Sequence, residues 1–500
     1  MYFTTIYTAM AKPINVLYVT SESQPYIRVQ SLADISYSYV MAMREQGVDI
    51  RLFMPRYGVT SERRYQIHYI KRLTDLEIPM GKTSTISSIK SSSMNSPRTK
   101  VQAYITTHDE FFSKRKGVYR DFKTLELYPD NPERYLFFCR SVVETLGILD
   151  WVPDIVHYND GETSLVAAFL KILFPEKFQK TKFVLNIHNI EEQVVANKTL
   201  FDKTGFKKEH KEYFYHKDKF NFLKSGILFA DSIVFSNKLY MEEVLKSDTL
   251  SNGLNELIKQ KDYHFIPVGM DQYTCDPKKD KQIAYKLEYD IEEFKYNNKA
   301  NLFLKFDMDY DPSLPLFGLI LDVNEYEAIE YFLENAPHIF KDGKAIFFVM
   351  ARLESRYKNT LKLLSKKYKK SLRVMFTTDM TIHHQLFAGS DFYLSLDNHD
   401  PTNLNIYYAI KYGCVPVVDD FYLDKNIVKP FDEKTKKGHS LIFQKEDKNQ
   451  FFNSIDKAIK IFDDKDTYNK LVENTQQHKF DWEPYAKEYK NLYTKLLKGK

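Results

Sequence analysis

Between Ile14 and Met54 the chain carries a pattern that few folds can use. Ile14 to Thr20 (INVLYVT) is continuously apolar and β-branched, as a strand buried on both faces must be. Ser31 to Gln46 sets Leu32, Ile35, Tyr39 and Met43 at helical spacing, with Ser31 and Asp34 as a capping pair and Gly47 as a stop. Val48 to Met54 (VDIRLFM) is strand-like again. A strand, a helix and a second strand this close together form a βαβ unit, which makes the sheet parallel.

The alternation recurs at Asp154 to Tyr158, with a helix from Glu162 to Leu173, then at Lys182 to His188, Ser232 to Ser236 and His264 to Val268. It restarts at Leu316 to Leu321 and continues through Ala345 to Met350, Leu372 to Phe376, Phe392 to Leu396 and Val415 to Val418. The expected class is α/β: two Rossmann-like doubly wound domains facing across a cleft, joined near Val268 to Lys278. Five hundred residues, 43% of them apolar, suffice for two cores. Tyr and Phe, 36 and 37 against two Trp, read as filling for those cores. The Ser/Thr-rich stretch Gly81 to Arg98 lacks periodicity and reads as a surface loop.

Lys plus Arg exceed Asp plus Glu only as 72 to 67, without long basic runs, so nothing points to nucleic acid. No apolar run is long enough to span a membrane. Cys139, Cys275 and Cys414 are far apart and in no metal-ligand spacing, which fits a reducing compartment, and the expected location is the cytoplasm. The opening MYFTTIYTAM reaches a second methionine, Met10, before Ala-Lys-Pro, so residues 1–9 read as an upstream-start extension or a disordered leader.

The turn between the first strand and helix is unusual. QPYIRVQSLADI, from Gln24 to Ile35, lies where a nucleotide-binding fold keeps its phosphate loop, yet contains no glycine. Glycine there lets backbone N–H groups approach a phosphate without a Cβ between them.

Several stretches then occur in order: VLYVTSE (Val16 to Glu22), SLADI (Ser31 to Ile35), MPRYG (Met54 to Gly58), YPDNPERYLFFCR (Tyr128 to Arg140), PDIVHYND (Pro153 to Asp160), IHN (Ile187 to Asn189) and FLKSGILFADSIVFS (Phe222 to Ser236). VGMD (Val268 to Asp271), PLFG (Pro315 to Gly318), FAGSDFYLS (Phe387 to Ser395), YAIKYGCVPVV (Tyr408 to Val418) and FDWEPYAKEY near Phe480 follow. Together they resemble the glycogen and starch synthases, retaining glucosyltransferases of GT-B architecture that move glucose from a nucleotide sugar to a growing α-1,4-glucan. The resemblance implies a catalytic and acceptor domain over residues 1–267, a nucleotide-sugar domain over 268–480, and a helix over 481–500 returning to the first domain. It implies ADP-glucose or UDP-glucose and an α-glucan as partners, and neither cofactor nor metal.

Carried over residue by residue, Asp160 and His188 match the family's catalytic aspartate and histidine, and both fall at carboxyl ends of parallel strands, where open α/β sheets bind ligands. The simpler reading is that Asp160 caps the following helix and His188 is a satisfied interior histidine. Arg28, Asp34 and Asp400 match donor-binding positions. The departures are as informative. Gln30 and Ser31 stand for two loop glycines, Val268 for an asparagine, Thr378 for a tyrosine beside the base, and Asn403 for a glycine. Asp322 and Glu327 stand for the arginine and lysine that neutralise the donor diphosphate. At about 4 Å and an effective dielectric near 20, each such contact is worth about 4 kcal/mol, and reversing its sign doubles the loss. A realignment using Ala351-Arg352-Leu353 and Lys358 would restore the cations but leaves a βα unit unassigned. Magnesium gathered by Asp322, Glu325, Glu327 and Asp400 would also compensate, although solvated helix-start acids are the simpler reading. Three readings follow: a synthase-type glucosyltransferase, a non-catalytic relative binding glucan or a partner protein, and a transferase using another nucleotide sugar.

Overall fold

The computed structural model describes residues 12–271, 275–396, 401–423 and 427–499. The expectations for residues 1–9 and for Asp400 lie outside them.

The first sheet contains β1 (Asn15–Val19), β2 (Asp49–Pro55), β3 (Thr83–Asn95), β4 (Lys100–Thr107), β5 (Ile155–Asn159), β6 (Lys182–Ile187), β7 (Ser232–Phe235) and β8 (Asp262–Phe265). Their order is β8-β7-β6-β5-β1-β2-β4-β3, parallel except where β3 meets β4. Helix α1 (Ser31–Glu45) joins β1 to β2, α2 (Asn131–Leu149) precedes β5, α3 (Leu165–Leu173) joins β5 to β6, and α4 (Lys238–Lys246) follows β7. From β1 the chain builds outward through β2 and β4, then resumes on the other side with β5. The switch point therefore lies between β1 and β5.

The second sheet has β9 (Leu316–Asp322), β10 (Ile346–Arg352), β11 (Leu372–Phe376), β12 (Phe392–Leu394), β13 (Val415–Asp419) and β14 (Leu441–Phe443). Its order is β11-β10-β9-β12-β13-β14, parallel throughout, with the switch between β9 and β12. Helices α5 (Tyr326–Ile339), α6 (Met380–Gly389) and α7 (Leu404–Lys411) follow β9, β11 and β12. The result is the expected pair of Rossmann-like domains facing across a cleft.

One local device pins the strands. Asp154, Asp231 and Asp391 each stand directly before a strand, and each carboxylate accepts an N–H at the start of the neighbouring strand: Asn15 at 2.8 Å, Phe183 at 2.8 Å and Leu316 at 2.8 Å. A one-residue slip would break these bonds, so the register is fixed at both switch points. Asp391 is further held by buried Lys299 at 2.7 Å and by the Tyr468 hydroxyl at 2.9 Å.

The closing helix α8 (Trp482–Lys498) packs against α1, where the Tyr39 ring lies 5.7 Å from Trp482 and 4.9 Å from Tyr489, both edge-on. Each such aromatic pair adds about 0.5–1.5 kcal/mol beyond its buried area. Gly269 is required here, because a Cβ would stand 2.7 Å from the Trp482 ring.

The stretch from Gly81 to Arg98 is not a loop. Residues Thr83–Asn95 form β3, paired antiparallel over Ser88–Asn95 with β4 and over Thr83–Ser87 with residues Leu76–Met80. Its serines bond to nearby backbone, Ser87 donating to the Thr107 carbonyl of β4 at 2.8 Å and Ser92 to the Tyr65 carbonyl of a turn at 2.6 Å. Polar composition concealed a strand whose hydroxyls replace the water a loop would have used.

Candidate functional site

In the first domain the turn from Thr20 to Gln30 leaves β1 and enters α1. Its backbone amides do point inward as a phosphate cradle would, but the cradle is filled. Glu22 Oε2 accepts the N–H of Val29 at 2.6 Å and of Gln30 at 3.2 Å, while the Tyr119 hydroxyl donates to Oε1 at 3.2 Å. Burial pushes the Glu22 carboxyl up to about 8, against those hydrogen bonds, and Glu192 adds to the rise. Gln30 turns its amide to Glu192 at 2.8 Å. Burial first, then Glu192 and Asp160, raise the fully enclosed Glu162 well above the usual carboxylate range.

Ser31 does not cap α1. Gln30 holds the cap position without a side-chain hydrogen bond, and the Ser31 hydroxyl crosses the cleft to accept the Leu404 N–H of α7 at 3.3 Å. A side-chain oxygen thus sits on a helix-start amide suited to a phosphate oxygen. Arg28 and Asp34 form a pair at 2.7 Å, and Gln24 also donates to Asp34. Burial works against the Arg28 charge, but Asp34 outweighs it and holds the guanidinium protonated.

Asp160 begins the short turn of helix after β5 in a left-handed conformation, φ 51°. It does not serve that helix. Its Oδ1 accepts the N–H groups of His188 at 2.7 Å and Asn189 at 3.2 Å, fixing the carboxyl end of β6 to that of β5. The buried His188 ring has Asn159 Oδ1 at 3.1 Å from Nε2 and Ser236 Oγ at 3.5 Å from Nδ1. Burial lowers its pKa to about 4, so the ring is neutral at pH 7.

In the second domain Asp322 ends β9 and lies in register beside Arg352, which ends β10. The two form a bidentate pair, with Nε to Oδ2 and Nη2 to Oδ1 each 2.7 Å. Arg352, the residue a realignment would use, belongs to the next strand, and its guanidinium lies beside Asp322. Lys358 goes elsewhere, 5.2 Å above the Phe376 ring. Glu327 in the first turn of α5 is largely exposed, with Lys445 Nζ 4.0 Å from its carboxylate. Cations from neighbouring elements thus stand beside both acids. Among the described residues no group of three His, Cys, Asp or Glu side chains could hold a metal ion.

Asn403 has a positive φ of 25°, a sign asparagine tolerates better than most residues, and its amide donates to Ser395 at 2.9 Å. Val268 is buried beside Gly269, and Thr378 is exposed before α6.

Polar contacts that cross the cleft among the described residues include Ser31 to Leu404, Asn237 to the Pro401 carbonyl at 2.9 Å, and Arg120 to Asn324 at 2.8 Å. Beside the first turn, between Gln24, Asp34, Leu404 and Tyr408, the remaining cavity is about 10 Å³, room for about one water. Beyond the His188 strand end the space opens to about 450 Å³, lined by Asn189, Tyr240, Pro401, Phe421 and the carboxylates of Glu191, Glu243, Asp419, Asp420 and Glu446.

Sequence reasoning quoted Glu22 within its strand motif without giving it a role, and it missed Tyr240 and Lys445. Glu22 carried a signal, an acid between a strand and a glycine-free turn. Lys445 carried none, because its partner is 118 residues earlier in the chain.

The family of starch synthase catalytic domains matches residues 15–260. The glycogen synthase of Chlorobaculum tepidum is 29% identical over 490 residues, covering 96% of this chain and 98% of that one. The glycogen synthase of Clostridium novyi is 26% identical over 492 residues, covering 97% and 99%. Among solved structures, the catalytic domain of starch synthase IV from Arabidopsis thaliana, bound to ADP and acarbose, superposes with a TM-score of 0.86 at 19% identity, covering 97% of this chain and all of that one. Sucrose-phosphate synthase from Thermosynechococcus elongatus shares the fold more loosely, with a TM-score of 0.57 at 12% identity.

Proposed function

Because this chain belongs to the glycogen/starch synthase family of glycosyltransferases, we propose that it transfers glucose from a nucleotide sugar of the ADP-glucose type to an α-1,4-glucan. The observation that carries this reading is the cavity of about 450 Å³ at the strand ends, where Tyr240 and Phe421 stand among five carboxylates. Aromatic faces and hydrogen-bond acceptors suit the apolar faces and hydroxyls of a sugar, whereas so acidic a lining repels a diphosphate. Sugar and glucan would occupy this space, and the nucleotide would lie toward the second domain. The solved catalytic domain of starch synthase IV, which shares this architecture, is bound to ADP and acarbose.

His188, neutral at neutral pH, directly precedes Asn189, which lines that space, and in this reading serves as a hydrogen-bonding group for the transferred sugar. Asp160 acts as a positioning residue, since its carboxylate holds the His188 and Asn189 backbone. Residues 12–267 form the acceptor-side domain in this reading, 268–480 the donor-side domain, and the closing helix returns to the first. The test is glucose transfer from ADP-glucose and UDP-glucose to glycogen. His188→Ala should lower kcat about 100-fold or more with the melting temperature little changed, and an unaltered rate would remove His188 from the site.

A second reading, a relative that binds glucan without transferring glucose, is favoured by one observation: Glu22 and Ser31 occupy amides that a donor phosphate would use. It predicts that glycogen or maltooligosaccharide raises the melting temperature while neither nucleotide sugar does. Saturable binding of ADP-glucose would exclude it.

A further inference from the structure

Residues 355–373, which run from the end of β10 through a helix into β11, contain eight Lys and Arg and neither Asp nor Glu. With those eight set aside, 64 of the chain's 72 cations remain against 67 acids. The positive excess of the whole protein therefore resides in this one segment.

The helix Ser355–Lys367 turns Tyr357 and Leu361 into the core of the second domain, while Lys362, Lys366 and Lys367 stand exposed on it. Lys369 and Lys370 are exposed in the turn that follows. None of these five lysines has an acid at ion-pair distance among the described residues; Arg356, at the cleft end of the helix, has Glu330 3.7 Å away. An ordinary solvated helix face mixes its signs, as α8 does where Lys487 meets Glu483 at 2.7 Å. Here Lys358, Lys362 and Lys366 follow one another at i,i+4, the spacing at which like charges repel. That repulsion is relieved when an anionic surface approaches.

The apolar neighbours indicate which kind of anion. Leu363 lies among these lysines and is 67% exposed. Strand β11 is the edge of the second sheet, and its Arg373 donates to the Asp307 carbonyl at 3.2 Å. This brings up the end of the helix Ile291–Lys305, where Leu304 is 77% exposed beside Lys305. Exposed leucines among lysines suit the boundary of a bilayer, where apolar side chains enter beneath the headgroups that hold the cations. A nucleic-acid backbone offers no such apolar layer and is gripped best by the Arg fork, whereas six of the eight cations here are Lys.

The helix begins at the carboxyl end of β10, by the cleft, and ends at the amino end of β11. Lys366 to Lys370 thus lie at the end of the sheet opposite the cleft, and a surface engaged there leaves the cleft open.

We infer that this basic edge of the second domain, centred on Leu363, Lys366, Lys367 and Lys370, docks the protein on an anionic lipid surface. The contact is peripheral, since no helix among the described residues is long and apolar enough to cross a membrane. It does not depend on the transferase reading, because neither donor nor glucan enters it.

The test is co-sedimentation of the full chain with vesicles of phosphatidylcholine alone and of phosphatidylcholine with about one-third phosphatidylglycerol, at low and at physiological salt. Binding should be confined to the anionic vesicles and should fall as salt screens the charges. Each basic side chain near such a surface strengthens binding about fivefold, so Lys366→Glu, Lys367→Glu and Lys370→Glu combined should weaken it about 100-fold or more. Leu363→Ala should weaken it several-fold while keeping the salt dependence. Lys207→Glu, Lys208→Glu and Lys219→Glu combined makes the same change in net charge on the first domain and should leave binding within about twofold, with thermal melts showing that each variant is folded. Equal losses in the two triple variants, equal binding to the neutral vesicles, an unaffected Leu363→Ala, or no binding to the anionic vesicles at low salt overturns the inference. Retention on duplex DNA or polyglutamate without retention on anionic vesicles assigns the surface to that polyanion and overturns it as well.

Discussion

The turn after β1 and the turn after β9 occupy equivalent places, each following the first strand of a parallel sheet at its switch point, yet they have changed in opposite ways. In the first, groups that could bind an anion are retained and filled from within: Glu22 takes the Val29 and Gln30 amides, and Ser31 takes the Leu404 amide. In the second, the turn itself has become acidic, and the cations are supplied by neighbours. The difference is one of reversibility. A buried carboxyl bonded to backbone amides can leave only if the turn unpacks, whereas a half-exposed ion pair can exchange one partner for another. In the proposed reading, a donor entering this cleft would meet a closed wall on one side and an exchangeable one on the other.

The strongest way to break this comparison is to remove the two acids separately. Glu22→Ala leaves two buried N–H groups without an acceptor and should cost about 2–4 kcal/mol in urea unfolding, while Asp322→Asn should change stability by under about 1 kcal/mol. Equal losses would mean that the two turns do not differ in kind. A finer test uses pH. The Glu22 carboxyl is raised by burial from an ordinary 4.5 to about 8, so its contribution to stability is complete below pH 4.5 and is lost as pH rises through 8. Glu22→Gln, neutral at every pH, should flatten the fall in stability between those limits, and an unchanged profile would show that Glu22 is already ionised in the folded chain. The smallest effect belongs to Ser31→Gly. It removes one acceptor from the buried Leu404 N–H, but the cavity of about 10 Å³ beside Leu404 has room for about one replacement water, so it should cost about 1 kcal/mol or less. A larger loss would make the Ser31 to Leu404 bond a principal clasp between the domains.

Much of the architecture was legible because it is written locally. Apolar runs and helical spacing fix strands and helices through burial alone, and aspartates such as Asp154, Asp231 and Asp391 stand directly before the strands they anchor. The strand Thr83–Asn95 was not legible, since its Ser and Thr side chains look loop-like until a partner strand supplies their hydrogen bonds. The site divides in the same manner. Asp160 and His188 were identifiable as strand-end residues, but the bond from the His188 amide to the Asp160 carboxylate exists only because β5 and β6 are neighbours.

The sequence by itself determined the two parallel sheets, the place of the cleft at their switch points and the loss of glycine from the first turn, because each follows from residue type over a short span. Only the tertiary structure decided what those losses mean. Whether an acid in a cleft is a repulsive charge, a neutral plug or half of an exchangeable pair depends on burial and on the nearest cation. For Glu22, Asp322 and Glu327, distant parts of the chain set both.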